Sequence, residues 1–533
     1  MLGTASLLGC ESSPPPAGDA GLDASVASDA ASSGDAGADA PRARPDAGPP
    51  PSGAFQHGVA SGDPFADSVI LWTRVSEQSG PTNVGWQISA DPSFATIALA
   101  GSFSTDASRD FTVKLEAVGL AAGTTYYYRF TLGTEVSPIG RTRTAPTGAT
   151  PRLRFAVCSC SNFAYGYFHA YRRIAERADL DAVIHLGDYI YEYGPGQYGS
   201  ERDCDPPHEI LSLDDYRGRY RQYRGDRDLQ EAHRQHPFIA TWDDHETADN
   251  AWSGGAENHQ PDEGSYEDRK GAAARAYREW MPFREQVGGQ LYRSLTYGDL
   301  AELVVLDTRI VGRDQQATGP TDPTLSAETR QLLGAAQETF LFERLDGASA
   351  RWKVICQQVM MGQFTFLLNT DQWDGYPAQR RRLFAHLRDG GIDDVVVLSG
   401  DIHSSWAHDL TPDPAVGYDP TTGAGAVAVE FVAPGITSPS FGEALDRAIR
   451  SALPTRAPHT KYFDGVRRGY MVLDLDPTRA QSAWFHVANV SDFTPPGGVE
   501  TASAAWSTAT GRNHLTEDPA PAPPVASPPD LAP

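Results

Sequence analysis

Residues 182–191 have the sequence AVIHLGDYIY, in which a largely apolar run passes directly into Gly187 and Asp188. A short apolar run that ends at a glycine and a polar residue is typical of a strand buried on both faces of a sheet. Similar runs recur between residues 154 and 398, and stretches with helical spacing, such as 168–178, separate them. This alternation predicts βαβ units with a parallel sheet, and therefore an α/β domain over residues 150–500.

Five of the predicted strands end in residues that can bind cations or phosphate. These residues are Cys160 and Asn162 after the first strand, Asp188 and Tyr191 after the second, Asp243, Asp244, His245 and Glu246 after the third, Asp307 and Arg309 after the fourth, and Asp401 and His403 after the last. A single aspartate after a strand is usually a turn or a helix cap. Because ligands bind outside the carboxyl ends of strands in α/β sheets, five such ends together predict one shared site.

The residue types indicate a site with more than one metal ion. Carboxylates bind hard cations, imidazole binds iron or zinc, and thiolate and phenolate suit a ferric ion. Hydrolysis of a phosphate ester needs an activated water and neutralisation of the phosphate oxygens, and paired metal ions do both. Asp188 is the expected bridge between two metals, since Gly187 before it allows the backbone and a metal to approach closely.

The residues outside this domain are predicted to be accessory. Short alternating segments between turn residues predict an all-β, Ig- or fibronectin-like sandwich over residues 53–147, packed beside the α/β domain. Residues 11–52 are almost wholly Ser, Ala, Gly, Asp and Pro, which predicts a disordered linker. Residues 501–533 are expected to be a largely disordered tail.

The beginning of the chain resembles a bacterial lipoprotein signal. The segment Leu7–Cys10 matches such a signal, so that residues 1–10 are predicted to be its remnant and Cys10 its acylated, membrane-anchoring residue. The alternative is an ordinary N-terminal cysteine, since the apolar stretch before Cys10 is short and lacks a basic start. The lipoprotein interpretation predicts export to the periplasm, the outer membrane or the medium.

The net charge excludes one class of partner. The chain has 69 acidic and 44 basic residues, which gives a net charge of -25. Non-specific binding of nucleic acid needs a positive surface, so none is expected here. No run of about 20 apolar residues is present, and the sequence therefore predicts no membrane span. The oligomeric state stays open.

The blocks around the predicted site resemble the alkaline phosphatase D family of the calcineurin-like metallophosphoesterases. The shared blocks are His57–Pro64, His185–Glu192, Trp242–Glu246 and Gly400–His403, which occur in this order. They depart from the general metallophosphoesterase pattern at three positions, where Cys160, Asp244 and Asp401 stand in place of an Asp-x-His block, an asparagine and a histidine. The same three departures are found in the alkaline phosphatase D family, so they strengthen the resemblance to it. The resemblance implies a four-layer α/β/β/α sandwich.

The resemblance also implies which ions are bound. Family members use one ferric ion and calcium ions, so that Fe³⁺ and Ca²⁺ are the expected cofactors. The residues that match the iron ligands are Cys160, Asp188, Tyr191 and His403. The residues that would bind calcium, or support residues that do, are Asp243, Asp244 and Asp401, and their division stays open.

Four further residues have two interpretations each. His245 is either a general acid facing the leaving group or a residue that supports a ligand from behind. Arg309 either braces a phosphate oxygen or forms a structural ion pair with Asp307 or another acid. Asn162 and Glu246 are predicted to support the ligands by hydrogen bonds, with a purely structural role as the alternative.

The predicted activity is hydrolysis of phosphate monoesters or diesters by direct displacement, without a Ser, Thr or Cys nucleophile. A phosphodiesterase of phospholipase D type, acting at the same site, is the alternative enzyme. The alternative from another class is a non-catalytic surface protein with a vestigial metal site. Metal analysis of the purified protein separates the enzymes from the surface protein.

Overall fold

A computed structural model describes residues 53–76, 78–364, 369–492 and 498–533. The predicted lipoprotein segment with Cys10 and the predicted linker at residues 11–52 lie outside the described residues. Among the residues that are described, no helix is both long and apolar enough to cross a membrane.

The strands follow one another in two stretches of the chain. The first stretch contains β1 (Val59–Gly62), β2 (Ser68–Arg74), β3 (Thr82–Ser89), β4 (Leu99–Thr105), β5 (Thr112–Val118), β6 (Thr125–Leu132), β7 (Glu135–Val136) and β8 (Gly140–Arg143). The second contains β9 (Leu153–Cys158), β10 (Ala182–His185), β11 (Pro237–Ala240), β12 (Arg293–Tyr297), β13 (Ala301–Val305), β14 (Trp352–Cys356), β15 (Val395–Ser399), β16 (Ser405–Leu410), β17 (Ala428–Val432), β18 (Thr460–Asp464), β19 (Arg468–Leu475), β20 (Arg479–Val487), β21 (Glu500–Ala509) and β22 (Thr516–Glu517).

The helices begin and end at local sequence signals. They are α1 (His169–Ala175), α2 (Leu213–Arg224), α3 (Arg227–Gln235), α4 (Tyr266–Trp280), α5 (Ala335–Gly347), α6 (Pro377–Gly390) and α7 (Glu443–Arg456). Ser212 caps α2 by accepting a hydrogen bond from the backbone N–H of Asp215, whose side chain accepts one from Ser212 in return. α6 has proline in its first turn and ends before Gly391, which takes the left-handed conformation.

The strands form three sheets. The ten-stranded sheet has the order β22-β21-β20-β19-β9-β10-β11-β1-β2-β5, and β9, β10, β11 and β1 in its middle are parallel. The seven-stranded sheet has the order β12-β13-β14-β15-β17-β16-β18, with β13, β14, β15 and β17 parallel. The small sheet has the order β4-β3-β6-β7, and β8 also pairs with β6.

The two large sheets pack face to face, and helices cover their outer faces. Side chains of both sheets, such as Phe155, Ile184, Val354 and Val396, share one apolar core. The opposite face of the ten-stranded sheet packs on α1 to α4, and that of the seven-stranded sheet packs on α5 and α6. Because successive side chains of a strand point to opposite faces, each strand contributes to two cores. The fold is therefore mixed α/β.

Residues 53–147 do not form the separate all-β domain that the sequence predicts. β1 runs parallel to β11, with Ser61 opposite Pro237, so that β1, β2 and β5 extend the ten-stranded sheet. The small sheet packs on these strands around an apolar core that includes Val69, Val84 and Phe130. The segment thus makes a sandwich, but one of its layers belongs to the large sheet, because β1 satisfies the backbone groups along the edge of β11.

The block His57–Pro64 joins this segment to the rest of the molecule. The His57 ring lies edge-on to Trp280 with ring centroids 5.3 Å apart. A Cβ atom at Gly62 would lie 1.8 Å from the carbonyl oxygen of Pro282, so that only glycine fits there. Asp63 is paired with Arg293 of β12 through both carboxylate oxygens, at 2.6 and 2.7 Å.

The prediction of a disordered tail over residues 501–533 is wrong. β21 pairs along its whole length with β20, and β22 pairs with β21. Beyond them, the side chain of Gln235 binds both the N–H and the carbonyl of Ala532, and Arg152 donates to the carbonyl of Pro523. A segment rich in Pro and Ala has no core of its own, but here side chains of the folded body hold its backbone in place.

The Asp63–Arg293 pair is expected to stabilise the whole fold. Both side chains are buried, so Asp63→Ala leaves a buried guanidinium without its countercharge and should lower the free energy of unfolding by about 3–5 kcal/mol. Urea denaturation followed by tryptophan fluorescence measures this loss. Asp67→Ala, which removes an exposed carboxylate immediately before β2, is the control and should change the free energy by less than about 0.5 kcal/mol. Equal effects of the two substitutions would contradict the assignment.

Candidate metal centre

The carboxyl ends of the central strands of both large sheets meet at one place. Ser159, directly after β9, forms an isolated parallel bridge with Gly435, which follows β17. A Cβ atom at Gly400, which follows β15, would lie 2.6 Å from Oγ of Ser159. The loops after the strands of the two sheets are therefore in contact, and Ser159 and Gly400, which lie 241 positions apart in the sequence, become neighbours.

Eight of the predicted site residues are brought together there. Seven of them form three overlapping groups in which the possible ligand atoms all lie within 4.8 Å of one another. We call them the thiolate group (Cys160, Asp188 and His403), the histidine group (Asp188, Asp244 and His245) and the acid group (Asp243, Asp244 and Asp401). Asp188 is shared by the first two groups and Asp244 by the last two. A shared carboxylate can bridge neighbouring cations, which agrees with the bridging role predicted for Asp188.

Tyr191, the eighth residue, lies at the thiolate group. Its hydroxyl donates a hydrogen bond of 2.8 Å to Oδ2 of Asp188 and lies 3.2 Å from Nε2 of His403. Ser438 donates to the same hydroxyl at 2.6 Å. The phenol is therefore placed to join Cys160, Asp188 and His403 in binding one ion.

The residues present fit a site that binds metal ions. Oδ1 of Asp188 and Oδ2 of Asp243 are buried and have no hydrogen-bond donor. A buried carboxylate oxygen without a donor is costly, and a cation removes this cost. Burial, and next to it the charge of Asp188, raises the pKa of the Cys160 thiol well above its usual range. A cation that binds this sulfur must therefore displace a proton.

The turns that carry the ligands adopt a sparsely populated backbone conformation. Cys160, Asp188, Asp401 and His403 have φ values of 60°, 54°, 65° and 53°, all in the left-handed region. Such residues cost of order 1–3 kcal/mol each and persist where the surroundings hold them. Each turn directs a side chain toward the common site immediately after its strand ends, which a continued strand could not do.

Gly187 is required by a neighbouring loop. Its φ is 106°, and a Cβ atom would lie 2.4 Å from the backbone nitrogen of Asp243. The sequence suggests that this glycine allows a metal to approach, whereas the structure shows that it admits the loop after β11. The close contact brings the carboxylates of Asp188 and Asp243 to the same site.

Glu246 holds two of the ligand-bearing turns together. Its Oε2 accepts the backbone N–H groups of Asp188 and Asp243 at 3.0 and 2.8 Å, and its Oε1 accepts that of Tyr189 at 2.8 Å. The carboxylate therefore supports ligands through the backbone. Asn162, in contrast, binds the backbone of Tyr165 and Tyr198, so that its side chain supports the turn after Cys160.

Glu192 is a functional residue that the sequence analysis missed. Its Oε2 lies 2.7 Å from Nδ1 of His245, and its Oε1 accepts from the backbone of Asp249 and the side chain of Asn258, both at 2.8 Å. A carboxylate on Nδ1 fixes the proton there and leaves Nε2 of the imidazole as the nitrogen that can bind a cation. The position of Glu192 at the end of the block His185–Glu192 was the available signal.

Arg309 is buried among carboxylates. Its guanidinium donates to Asp243, to Asp401 at 2.5 Å, and to both oxygens of Asp371 at 2.8 and 2.7 Å. The predicted alternative was an ion pair with Asp307 or another acid, and the partners are these other acids, because Asp307 accepts from the backbone N–H of Arg309 instead. Asp371 was not predicted, since no strand ends at it and nothing in its local sequence distinguishes it.

Overlapping groups of ligand residues that share carboxylates can hold metal ions close together. Paired metal ions of this kind bind phosphate esters and catalyse their hydrolysis. The fold and this centre define the class of metal-dependent phosphoesterases. Residues 155–484 match the family model described as PhoD-like phosphatase, and residues 40–146 match the one described as PhoD-like phosphatase, N-terminal domain. The chain therefore belongs to the PhoD-like phosphatase family and is a metal-dependent hydrolase of phosphate esters.

Individual relatives agree with this family. Alkaline phosphatase D of Bacillus subtilis is 38% identical over 483 residues, which cover 85% of this chain and 80% of that protein. The solved structure titled "Structure of PhoD" superposes with a TM-score of 0.81 at 36% identity, covering 89% of this chain and 94% of that one. The similarity thus spans both the small sheet and the two large sheets.

Glu192→Gln is expected to weaken cation binding about 10- to 100-fold. The glutamine oxygen can still accept from Asp249 and Asn258, which turns its NH₂ group toward Nδ1 of His245. The imidazole proton then moves to Nε2, and the nitrogen that faces the site can no longer bind an ion. Calorimetric titration of the cation-depleted protein measures the change.

The matched control is Glu257→Gln. Glu257 is exposed and accepts a hydrogen bond from Asn250 rather than from a histidine. This variant should bind cations as the unmodified protein does. Unchanged cation affinity in Glu192→Gln would mean that Glu192 does not set the proton position of His245.

Proposed function

We propose that the protein hydrolyses phosphate monoesters and diesters at a centre of three cation positions, with Fe³⁺ in the thiolate group and Ca²⁺ in the histidine and acid groups. The observation that carries this proposal is the sharing of Asp188 and Asp244 between neighbouring groups. A chain of positions linked by shared carboxylates suits a phosphate group, whose several oxygens each need a positive partner.

The division of the ions follows from the donor sets. The thiolate group combines a thiol, an imidazole and the nearby phenol of Tyr191, which are ligands that suit a ferric ion. The acid group offers oxygen atoms alone, which is the set that calcium prefers. The histidine group is mixed, and its carboxylates from Asp188 and Asp244 favour calcium there as well.

The protein's own residues orient the reacting groups. When bound, the cations would lower the pKa of a water molecule and neutralise the charge of the phosphate oxygens. Tyr191 and Glu246 hold Asp188 in place from the side chain and from the backbone. The position of His245 between Asp188 and Asp244 favours its binding a cation over both roles that the sequence left open for it, general acid and support of a ligand from behind. A water molecule is then the proton source for the leaving oxygen.

We also propose the four-layer α/β/β/α description for the packed sheets with their helices, and export as a lipoprotein acylated at Cys10. The first is supported by the three apolar cores that separate the sheets and helices. The second is supported by the segment Leu7–Cys10 and the polar composition of residues 11–52. Metabolic labelling with palmitate, lost in Cys10→Ser, is the measurement that decides it.

Asp188→Asn and His403→Ala are each expected to lower the turnover of 4-nitrophenyl phosphate at least about a thousandfold, because each removes a ligand of the thiolate group. The far-ultraviolet circular dichroism should stay that of the unmodified protein. Asp474→Asn, which removes a buried carboxylate paired with Arg152, is the control that keeps its turnover. The same variants assayed on bis(4-nitrophenyl) phosphate give the ester preference. Full turnover in either ligand variant would refute the metal centre.

The ferric assignment has a spectroscopic consequence. A phenolate bound to a ferric ion gives a visible absorption band, so that the purified protein should be coloured and Tyr191→Phe should lose the band. Tyr193→Phe, two residues away, removes a hydroxyl that binds Asp249 and should leave the band unchanged. A colourless, iron-free protein with full turnover would show that another ion occupies the thiolate group.

A further inference from the structure

The guanidinium of Arg309 reaches all three residues of the acid group. Its Nε donates to Oδ1 of Asp243, and its Nη2 donates to Oδ1 of Asp401 at 2.5 Å. Nη2 also lies 3.5 Å from Oδ1 of Asp244. The Arg309 side chain is fully buried. The guanidinium therefore contacts carboxylate oxygens that a calcium ion in the acid group would also need.

This charge is needed when no cation is present. The three carboxylates of the acid group lie within 4.8 Å of one another, and like charges at this distance in a buried site disfavour each other strongly. Arg309 compensates them and keeps their oxygens turned inward. A guanidinium and a divalent cation bind the same carboxylate oxygens, so they cannot both be fully satisfied by this group.

A fourth carboxylate, that of Asp371, also binds the guanidinium. Nη1 of Arg309 is held by both oxygens of Asp371, at 2.8 and 2.7 Å. Asp371 is itself fixed by Arg313 and by Gln316, and it is not a member of the acid group. Arg309 can therefore release Asp243 and Asp401 and remain paired, without entering water as an uncompensated charge.

One carboxylate oxygen of the acid group, Oδ2 of Asp243, has no hydrogen-bond donor. Oδ2 of Asp244 accepts from the backbone of Asn250 at 2.6 Å, and Oδ2 of Asp401 accepts from Gln372 at 3.1 Å. Oδ2 of Asp243, in contrast, is buried and has no donor. A cation can thus bind this oxygen while Arg309 still occupies Oδ1 of the same carboxylate.

We propose that Arg309 is an internal counter-cation, which holds the acid group together in the cation-free protein and competes with a divalent cation for Asp243 and Asp401. The inference rests on the proposed metal centre, but not on the hydrolytic reaction. Arg309 is in this view a positioning residue that sets the cation affinity of the acid group. Removing its charge should make the acid group bind calcium more tightly, whereas a residue that only supports the ligands would weaken binding when removed.

The test is a calorimetric titration of cation-depleted protein with calcium alone. Arg309→Gln should bind calcium at least tenfold more tightly than the unmodified protein. It should also unfold at a temperature roughly 5 °C or more lower when calcium is absent, with calcium restoring the difference. Adding Asp243→Asn to this variant should abolish the gain, which locates it at the acid group.

The matched control is Arg313→Gln. Arg313 is also a fully buried arginine paired with Asp371, but it contacts none of the acid group. Its removal should leave the calcium affinity within about threefold. Weaker or unchanged calcium binding in Arg309→Gln overturns the inference and leaves the metal centre standing, whereas the absence of calcium binding in the unmodified protein overturns both.

A second measurement uses the unmodified protein and does not depend on the folding of a variant. Crystals grown without and with calcium should differ at Arg309, whose guanidinium should leave Oδ1 of Asp243 and Oδ1 of Asp401 and keep its contact with Asp371. An acid group that holds calcium while Arg309 keeps all these contacts would overturn the inference.

Discussion

The crowding of buried carboxylates at one end of two packed sheets is the constraint on which the rest of the structure depends. Asp188, Asp243, Asp244 and Asp401 belong to overlapping groups within a few ångströms, and all four are buried. Such a cluster is unstable by itself, because desolvation and mutual repulsion both oppose ionised carboxylates. Three features reduce this electrostatic cost. They are the guanidinium of Arg309, the hydrogen bonds to the ligands and the proposed cations.

The surrounding structure holds the turns that carry the carboxylates in place and keeps these side chains together. The left-handed turns at four ligands would straighten if they were free, and the surrounding contacts prevent this. Glu246 fastens the turns after β10 and β11 by three backbone N–H groups, and Gly187 lets these turns touch. The large apolar cores on the two sides of each sheet supply the stabilisation that offsets the backbone strain and the charge repulsion at the site.

The residues that support the ligands come from places that no local pattern connects. Glu192 sets the nitrogen of His245 that is available to a cation, across 53 positions of the chain. Asp371 holds Arg309 across 62 positions, and its own partner Arg313 lies on the loop after β13. These supporting contacts determine the affinity and the proton state of the centre, while the ligands themselves determine which ions it can take.

The sequence by itself determined the strands β9, β10, β11, β13, β14 and β15, and which of their ends carry ligands, because apolar runs and the polar residues that follow them are local features. It also predicted the bridging position of Asp188 and the support by Glu246. Only the tertiary structure decided that β1 extends the large sheet, that residues 500–509 and 516–517 form strands, and that Arg309 faces the acid group rather than Asp307. These outcomes depend on contacts between segments that are distant in the sequence. Hydrogen bonds at the edges of the sheets and the pairing of buried charges decide them, and the composition of each segment alone does not show either.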